Sequence, residues 1–264
     1  MPERLDAALA ARGLARSRTH AQQLIVAGEV WLNEVNVTKA STPVHESDEV
    51  RVAALDHYVS RAAHKLIAAF DEFGVDPSGR LALDAGASTG GFTQVLLERG
   101  ARRVIALDVG RGQLAPRVRS DERVCVVEGE NIRGLTAKRL AELSGSDELP
   151  SLVVADLSFI SLELVLPALR ASASVDADFV LLIKPQFEVG RGGVREGVVR
   201  DANARAEAVE RVLWSAHDIG LQTAGLARSP LVGSHGNIEV LCWLSPTTGQ
   251  TPTEWSARIQ EVAR

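Results

Sequence analysis

The stretch Leu81-Ala82-Leu83-Asp84-Ala85-Gly86-Ala87-Ser88-Thr89-Gly90-Gly91-Phe92-Thr93 decides the fold. An apolar run ends in an acid, a glycine-rich turn follows, and Phe92, Val95 and Leu96 recur at helical spacing up to a stop at Gly100. That reads as a strand, a tight loop and a helix whose first N–H groups face the loop, where backbone can approach a ligand closely. Outward from it the alternation continues. Arg103 to Leu107 reads as a second strand ending in Asp108. Val124–Val127, Leu152–Ala155, Phe179–Ile183, Gln222–Ala227 and Ile238–Leu244 read as further strands, with helical segments between most of them. The pattern predicts an α/β fold with a doubly wound sheet and right-handed crossovers. The loop alone leaves its ligand open, because dinucleotide enzymes use the same device.

The 264 residues are 45% hydrophobic and 24% charged, which excludes a collagenous, coiled-coil or wholly disordered chain. The formal net charge of -5 argues against binding nucleic acid by bulk charge, but not by a local patch. Cys125 and Cys242 lie in apolar strand-like runs, so their number excludes a disulfide framework. No Cys and His cluster has ligand spacing, and no metal is expected. The start, Met1-Pro2-Glu3-Arg4-Leu5-Asp6, lacks an apolar signal region. The apolar run Phe179–Ile183 falls far short of the roughly 20 residues a membrane helix needs. The expectation is a cytoplasmic protein without stable membrane insertion.

Composition changes near residues 53–60, where short helices and alternating strands give way to regular strand–helix alternation. In the first piece, Leu5, Ala8 and Leu9 share a helical face. Ser17 then caps a second helix with Ala21, Leu24 and Ile25 on its buried stripe, and Gly28 stops it. Val30-Trp31-Leu32 and Val50-Arg51-Val52 read as short strands. Arg16 and Arg18 flank Ser17 at the mouth of the second helix, where free N–H groups and the helix dipole favour a phosphate. By charge alone, solvated surface arginines are the favoured reading.

Ligands of doubly wound sheets bind beyond the carboxyl ends of the parallel strands. Asp84, Asp108, Asp156 and Lys184 each terminate a predicted parallel strand, so all four belong to one edge. Glu239 opens the last strand and joins that edge if the strand runs antiparallel. On the helix after Ser60, Ala62, Leu66, Ala69, Phe70 and Phe73 form an apolar stripe, which Lys65 flanks. By pattern alone, a flanking lysine is more often a snorkelling surface residue.

Three resemblances organise these residues. Arg4-Leu5-Asp6, Gly13-Leu14-Ala15-Arg16-Ser17-Arg18, Ala21, Leu24-Ile25, Gly28, Val30, Asn33 and Lys39 together resemble the S4-like RNA-binding domain. This implies Arg4, Arg16, Arg18 and Lys39 as RNA contacts. Asp84 before the glycines and Ser88 in place of the second glycine resemble class I methyltransferases, which implies S-adenosylmethionine rather than a dinucleotide. Lys65, Asp156, Lys184 and Glu239 look like the Lys-Asp-Lys-Glu constellation of FtsJ-like ribose 2'-O-methyltransferases. Around them, Ser60-Arg61-Ala62-Ala63-His64-Lys65-Leu66, Asp156-Leu157-Ser158-Phe159-Ile160-Ser161, Lys184-Pro185-Gln186-Phe187-Glu188 and Gly236-Asn237-Ile238-Glu239 match as well. Together these cover nearly the whole chain and resemble the TlyA family.

The TlyA resemblance implies a class I Rossmann-like methyltransferase with a seven-stranded mixed sheet and a small N-terminal α+β S4-like domain. The corresponding division is residues 1–55 for the S4-like domain, 56–60 for a linker and 61–264 for the methyltransferase. The implied reaction is methylation of cytidine ribose 2'-hydroxyls in 16S and/or 23S ribosomal RNA, within ribosomal subunits. Asp84, Gly86, Ser88, Gly90, Gly91, Phe92, Asp108 and Asn131 would hold S-adenosylmethionine, and Arg61 and Arg133 would add phosphate contacts. An ordinary lysine, pKa about 10.4, is protonated near neutrality, and a second cation or partial burial makes a neutral amine accessible. Lys184 is accordingly expected as the base, with Lys65 tuning it and Asp156 and Glu239 orienting both. The segment Gly190-Arg191-Gly192-Gly193-Val194-Arg195-Glu196-Gly197 reads as a basic loop that closes on RNA or merely connects.

Neither cysteine sits in a Pro-Cys or Thr-Cys loop for covalent cytosine C5 chemistry, and no Asn-Pro-Pro-aromatic or Asp-Pro-Pro-aromatic segment serves exocyclic amines. Two other readings stay open from sequence: a membrane-active haemolysin, the family's historical label, and a non-catalytic RNA-binding protein. The resemblance also implies altered sensitivity to cyclic peptide drugs such as capreomycin when the protein is lost.

Overall fold

The computed structural model describes residues 3–15, 17–26, 28–52, 57–190, 196–233 and 236–264. Contacts divide the chain into two units, Met1–His57 and Tyr58–Arg264. The boundary falls within the expected linker at 56–60, with Tyr58, Val59 and Ser60 on the side of the second unit. The cause is local: the Val59 N–H donates to Gln94 Oε1 (2.9 Å), Ser60 Oγ accepts from the Ala62 N–H (3.1 Å), and Tyr58 packs against an apolar cluster. Asp56 lies outside the described residues.

The first unit runs β1 (Glu3–Arg4), α1 (Leu5–Ala11), α2 (Arg18–Val26), β2 (Val30–Leu32), β3 (Val35–Asn36), β4 (Pro43–Val44) and β5 (Val50–Val52). β1 pairs with β4, while β2 pairs antiparallel with both β3 and β5. Leu5, Ala8, Leu9, Ala21, Ile25 and Val30 form its buried core, with Leu24 at the margin. Ser17 Oγ accepts from the His20 N–H (3.2 Å) at the mouth of α2, as expected of a cap. The β2–β3 hairpin turns through Asn33 and Glu34, both at positive φ (49° and 68°), with Leu32 opposite Val35. This is the primed two-residue turn that suits the strand twist, built without the usual glycine. Asn33 compensates by donating Nδ2 to Asp48 Oδ1 (2.9 Å) and accepting from the Glu49 N–H (3.0 Å).

The second unit continues with α3 (Ala63–Phe73), β6 (Leu81–Ala85), α4 (Gly91–Glu98), β7 (Arg103–Asp108), α5 (Pro116–Arg119), β8 (Val124–Glu128), α6 (Ala137–Ser144) and β9 (Leu152–Ala155). It ends with α7 (Leu166–Ala171), β10 (Asp178–Ile183), α8 (Pro185–Glu188), α9 (Ala202–Asp218), β11 (Gln222–Arg228), β12 (Val240–Ser245) and α10 (Ser256–Val262). The seven-stranded sheet has the order β11-β12-β10-β9-β6-β7-β8. β6, β7, β8, β9 and β10 run parallel, and β12 is antiparallel to both its neighbours. β6 and β9 are buried along their whole length because apolar layers cover both faces of the sheet. Their near-continuous Leu, Val and Ala content is the consequence.

The expected last strand, Ile238–Leu244, is observed as Val240–Ser245, and the Ser229 N–H donates to the Glu239 carbonyl (2.9 Å) one step beyond the Arg228–Val240 pair. In α3, Ala63, Leu66, Ala69 and Phe70 are the buried stripe, whereas Ala62 is the N-cap and Phe73 is half-buried. No helix of the described residues is long and apolar enough to cross a membrane.

Candidate active site

The strand order reverses between β6 and β9, which opens a crevice beyond their carboxyl ends. Register then fixes what meets there. Ala85 pairs with Ala155, placing Gly86 beside Asp156. A Cβ on Gly86 would lie 2.8 Å from Leu157 Cδ2 and 3.4 Å from the Asp156 carbonyl, so only glycine allows this closeness. Gly91, first residue of α4, is equally constrained, with Ser60 Cβ 2.9 Å from where its own Cβ would be. Gly90 caps α4 at φ 95°. Ser88 also takes positive φ (49°), and its N–H donates to Asp108 Oδ2 (2.8 Å). Asp108 Oδ1 accepts from the Gly110 N–H (2.7 Å), so two backbone donors fix this carboxylate at the end of β7.

Asp84 is buried in β6, accepting from Thr93 Oγ1 (2.6 Å) through Oδ2. Its Oδ1 is buried without a hydrogen-bond partner among the described residues. Burial, only partly offset by Thr93, pushes the Asp84 carboxyl up to about 7.

The four charges expected to converge do so. Lys184 Nζ lies 2.6 Å from Asp156 Oδ1 and donates to Ser158 Oγ (2.9 Å). Lys65 Nζ lies 3.5 Å from Asp156 Oδ2 and donates to Glu239 Oε2 (2.7 Å). The two amino groups therefore share one carboxylate, in a chain Lys184–Asp156–Lys65–Glu239. Lys65 does not snorkel: its side chain is 11% exposed, and its helix directs it inward between two acids. A cavity lined by Ser60, Gly86, Ser88, Gly91, Asp156 and Lys184 joins this chain to the glycine loop. Lys184 and Asp156 face the cavity, whereas Lys65 and Glu239 stand behind Asp156. Phe92 lines the same cavity and also packs into the apolar layer under α3.

Residues 58–245 match the FtsJ-like methyltransferase family and residues 3–50 match the S4 domain. The chain is 50% identical over 248 residues to the 16S/23S rRNA (cytidine-2'-O)-methyltransferase TlyA of Mycobacterium tuberculosis, covering 93% of this chain and 90% of that protein. The chain belongs to the TlyA family of FtsJ-like methyltransferases. Hemolysin A of Brachyspira hyodysenteriae is 39% identical over 90% of this chain and 98% of its own. A solved structure named as a hemolysin of Streptococcus thermophilus superposes with a TM-score of 0.77 at 36% identity, over 99% of this chain and 94% of that one.

Within this TlyA-family chain the remaining expected residues that are described lie outside the lining of that cavity. Asn131 is exposed beyond β8, where its Oδ1 accepts from the Arg133 N–H (3.0 Å) and caps a short 3-10 turn. Arg61 and Arg133 are exposed on the second unit, and Lys39 on the first. Arg4 and Arg18 are half-exposed and both pair with Asp6. Arg16 and residues 191–195 of the basic loop lie outside the described residues.

Several residues at this site lie in the quoted segments without a role assigned to them by sequence. Ser158 holds Lys184. Gln186 Nε2 reaches Glu239 Oε1 (3.5 Å). Phe159 is 91% exposed at φ 65° and packs against Phe187 with ring centroids 5.3 Å apart. Positive φ is rare for a bulky residue, and such backbone strain clusters at functional sites. Glu188 accepts from Ser161 Oγ (2.6 Å) and the Leu162 N–H (2.9 Å), pinning the loop that carries Ser158 and Phe159, and burial raises its carboxyl above the ordinary range. The signal is present in Asp156-Leu157-Ser158-Phe159-Ile160-Ser161, but nothing local assigns these roles.

Proposed function

We propose that the chain methylates the ribose 2'-hydroxyl of cytidine in ribosomal RNA, using S-adenosylmethionine. The substrate class follows from the relatives; the site residues are compatible with the cofactor. Asp84 has an unpartnered buried oxygen, Gly86 and Gly91 leave no room for side chains, and Asp108 is held by backbone donors with lone pairs to spare for ribose hydroxyls. When bound, the cofactor supplies an activated methyl group on a cationic sulfur. Asp84, Gly86, Ser88, Gly90, Gly91, Phe92, Asp108 and Asn131 would hold it.

The observation that carries the reading is the single carboxylate shared by two lysine amino groups at the cavity wall. A ribose hydroxyl is a weak nucleophile and must give up its proton as it attacks, which calls for a base within hydrogen-bond reach. Lys184 faces the cavity and is assigned that proton. Asp156 orients the Lys184 amine, while Lys65, fixed by Glu239, braces Asp156 from behind. The exposed Phe159, backed by Phe187, offers a face on which an unstacked base can rest. Arg4, Arg16, Arg18, Lys39, Arg61 and Arg133 would supply phosphate contacts. The work would be done in the cytoplasm on ribosomal subunits, and loss of the modification would alter capreomycin sensitivity.

The test is tritiated methyl transfer to separated, unmodified ribosomal subunits, followed by mapping of the modified ribose. Lys184→Ala should lower transfer by roughly 10²–10⁴-fold while retaining affinity for S-adenosylhomocysteine. Undiminished transfer would remove Lys184 as base, and label on a base rather than a ribose would overturn the reaction.

A further inference from the structure

Asp6 lies in the first turn of α1 with no exposed surface, where an apolar core residue would be the ordinary occupant. Its carboxylate gathers three side chains from the elements around it. Arg4 donates Nε to Oδ1 (3.0 Å) and Nη2 to Oδ2 (3.1 Å) from β1. Arg18 Nη2 (3.2 Å) and Gln22 Nε2 (2.8 Å), both from α2, donate to Oδ2. These bonds, Arg4's foremost and then Gln22's, hold the Asp6 carboxyl far below the usual carboxylate range despite its burial. The two arginine side chains are nevertheless 50% and 58% exposed. Among the described residues, the pairing occupies one edge of Arg4 and one nitrogen of Arg18, leaving the other donors of both guanidiniums for an external acceptor.

A buried carboxylate is costly unless it is fully paired, and pairing it with half-exposed arginines is a weak way to stabilise a small core. It is an effective way to fix two guanidiniums at a set separation, since arginines held in their binding geometry lose less freedom when they dock. We propose that Asp6 is a positioning residue for RNA, bracing Arg4 and Arg18 as a preset pair of phosphate-binding forks. This rests on reading Arg4 and Arg18 as RNA contacts.

Charge gives the proposal an unusual sign. Asp6→Asn makes the RNA-facing unit more positive, so bulk electrostatics predicts tighter binding, whereas loss of bracing predicts weaker binding. The full-length chain is titrated with transcribed ribosomal RNA by filter binding over a KCl series, beside thermal unfolding and separate kcat and KM for methyl transfer. Asp6→Asn should weaken binding about tenfold and raise KM with kcat unchanged. The salt dependence should flatten by about one unit of slope for each phosphate that is no longer neutralised. Arg4→Lys, which keeps both Asp6 and the net charge but loses the two-point grip, should weaken binding in the same direction. It also serves as the test if Asp6→Asn unfolds the unit. Binding that stays as tight or tightens in both variants with melting unchanged overturns the positioning role. If the double variant Arg4→Gln/Arg18→Gln leaves affinity intact, the RNA reading of this face fails first, and the positioning role falls with it. If that double variant binds weakly while Asp6→Asn and Arg4→Lys bind normally, only the positioning role is lost.

Discussion

Lys184 and Glu239 occupy adjacent positions at one sheet edge, because Ile183 pairs with Val240 across the antiparallel β10–β12 ladder. Each is the next residue outward from that pair, one leaving its strand and the other entering. β12 must run against its neighbours for this to happen; a parallel last strand would carry Glu239 to the opposite end of the sheet. The same edge receives Asp156 from β9, and α3 delivers Lys65 between the two acids. The site is thus a product of strand direction and register.

The Lys65–Glu239 pair should show the asymmetry of buried ion pairs. Both side chains are nearly enclosed, at 11% and 3% exposed, and their charged atoms lie 2.7 Å apart. Glu239→Leu leaves the ammonium with only the more distant Asp156 and should cost about 3 kcal/mol in urea unfolding. Lys65→Met combined with Glu239→Leu removes both charges and should recover most of that loss. Neither variant should transfer methyl groups. Additive losses in the double variant would contradict the coupling.

The buried carboxyl of Asp84 predicts a pH signature. Its folded value is about 7, against about 3.9 in an unfolded chain. Between these values the folded state keeps a proton that the unfolded state has released. Stability contributed by this site is therefore full below about pH 4, falls as pH rises to about 7 and is flat above, a change on the order of 4 kcal/mol. Asp84→Asn should remove that slope. Urea midpoints at pH 5, 6, 7 and 8 for both proteins test it, the difference between them cancelling the histidines.

How far the chain can be read from its sequence depends on whether a residue's role is local. Asp84, Asp108, Asp156 and Lys184 are legible because an apolar run that stops at a charged residue marks a strand's carboxyl end, and parallel topology collects such ends. Glu239 is legible only by assuming an antiparallel strand. Lys65 cannot be read from periodicity, since a stripe-flanking lysine looks the same whether it faces water or two carboxylates. Asp6 is hidden for the same reason: an acid in the first helical turn is commonplace, and its partners arrive from β1 and α2. The anchoring of Val59 is not legible either, because its N–H finds its acceptor, Gln94, in a helix beyond β6. Phe159 gives no warning, because positive φ in a phenylalanine has no sequence signal.

The hairpin of the first unit carries a removable strain. Glu34 sits at φ 68°, a left-handed conformation that an L side chain disfavours by roughly 1–2 kcal/mol and that glycine adopts freely. Glycine's greater freedom in the unfolded chain offsets part of the gain. Glu34→Gly should stabilise the hairpin by about 1 kcal/mol. Hydrogen exchange of the amides paired between β2 and β3 should slow by roughly fivefold in the full chain, and faster exchange would mean that the Glu34 side chain contributes more than its backbone costs.

Gly233 bears on catalysis through its lack of a side chain. Its N–H donates to the Asn237 carbonyl (2.8 Å), and the Ser229 N–H donates to the Glu239 carbonyl (2.9 Å). These bonds bring Gly233 against the Glu239 carboxylate: a Cβ there would stand 2.7 Å from Glu239 Cδ and 3.2 Å from Cγ. Gly233 has no positive φ, so alanine would meet no backbone strain and its effect would come from contact alone. Glu239 cannot swing away without leaving Lys65, so the displacement passes through Lys65 to Asp156 and on to Lys184. Misplacement on the scale of 1 Å can cost a catalytic step about 10²-fold. Single-turnover methyl transfer by Gly233→Ala should therefore fall at least about tenfold, with S-adenosylhomocysteine affinity close to that of the unmodified chain and melting lowered by less than in Glu239→Leu. A rate left intact, with Glu239 shown by structure to have moved, would mean that the outer Lys65–Glu239 pair does not govern the position of Lys184.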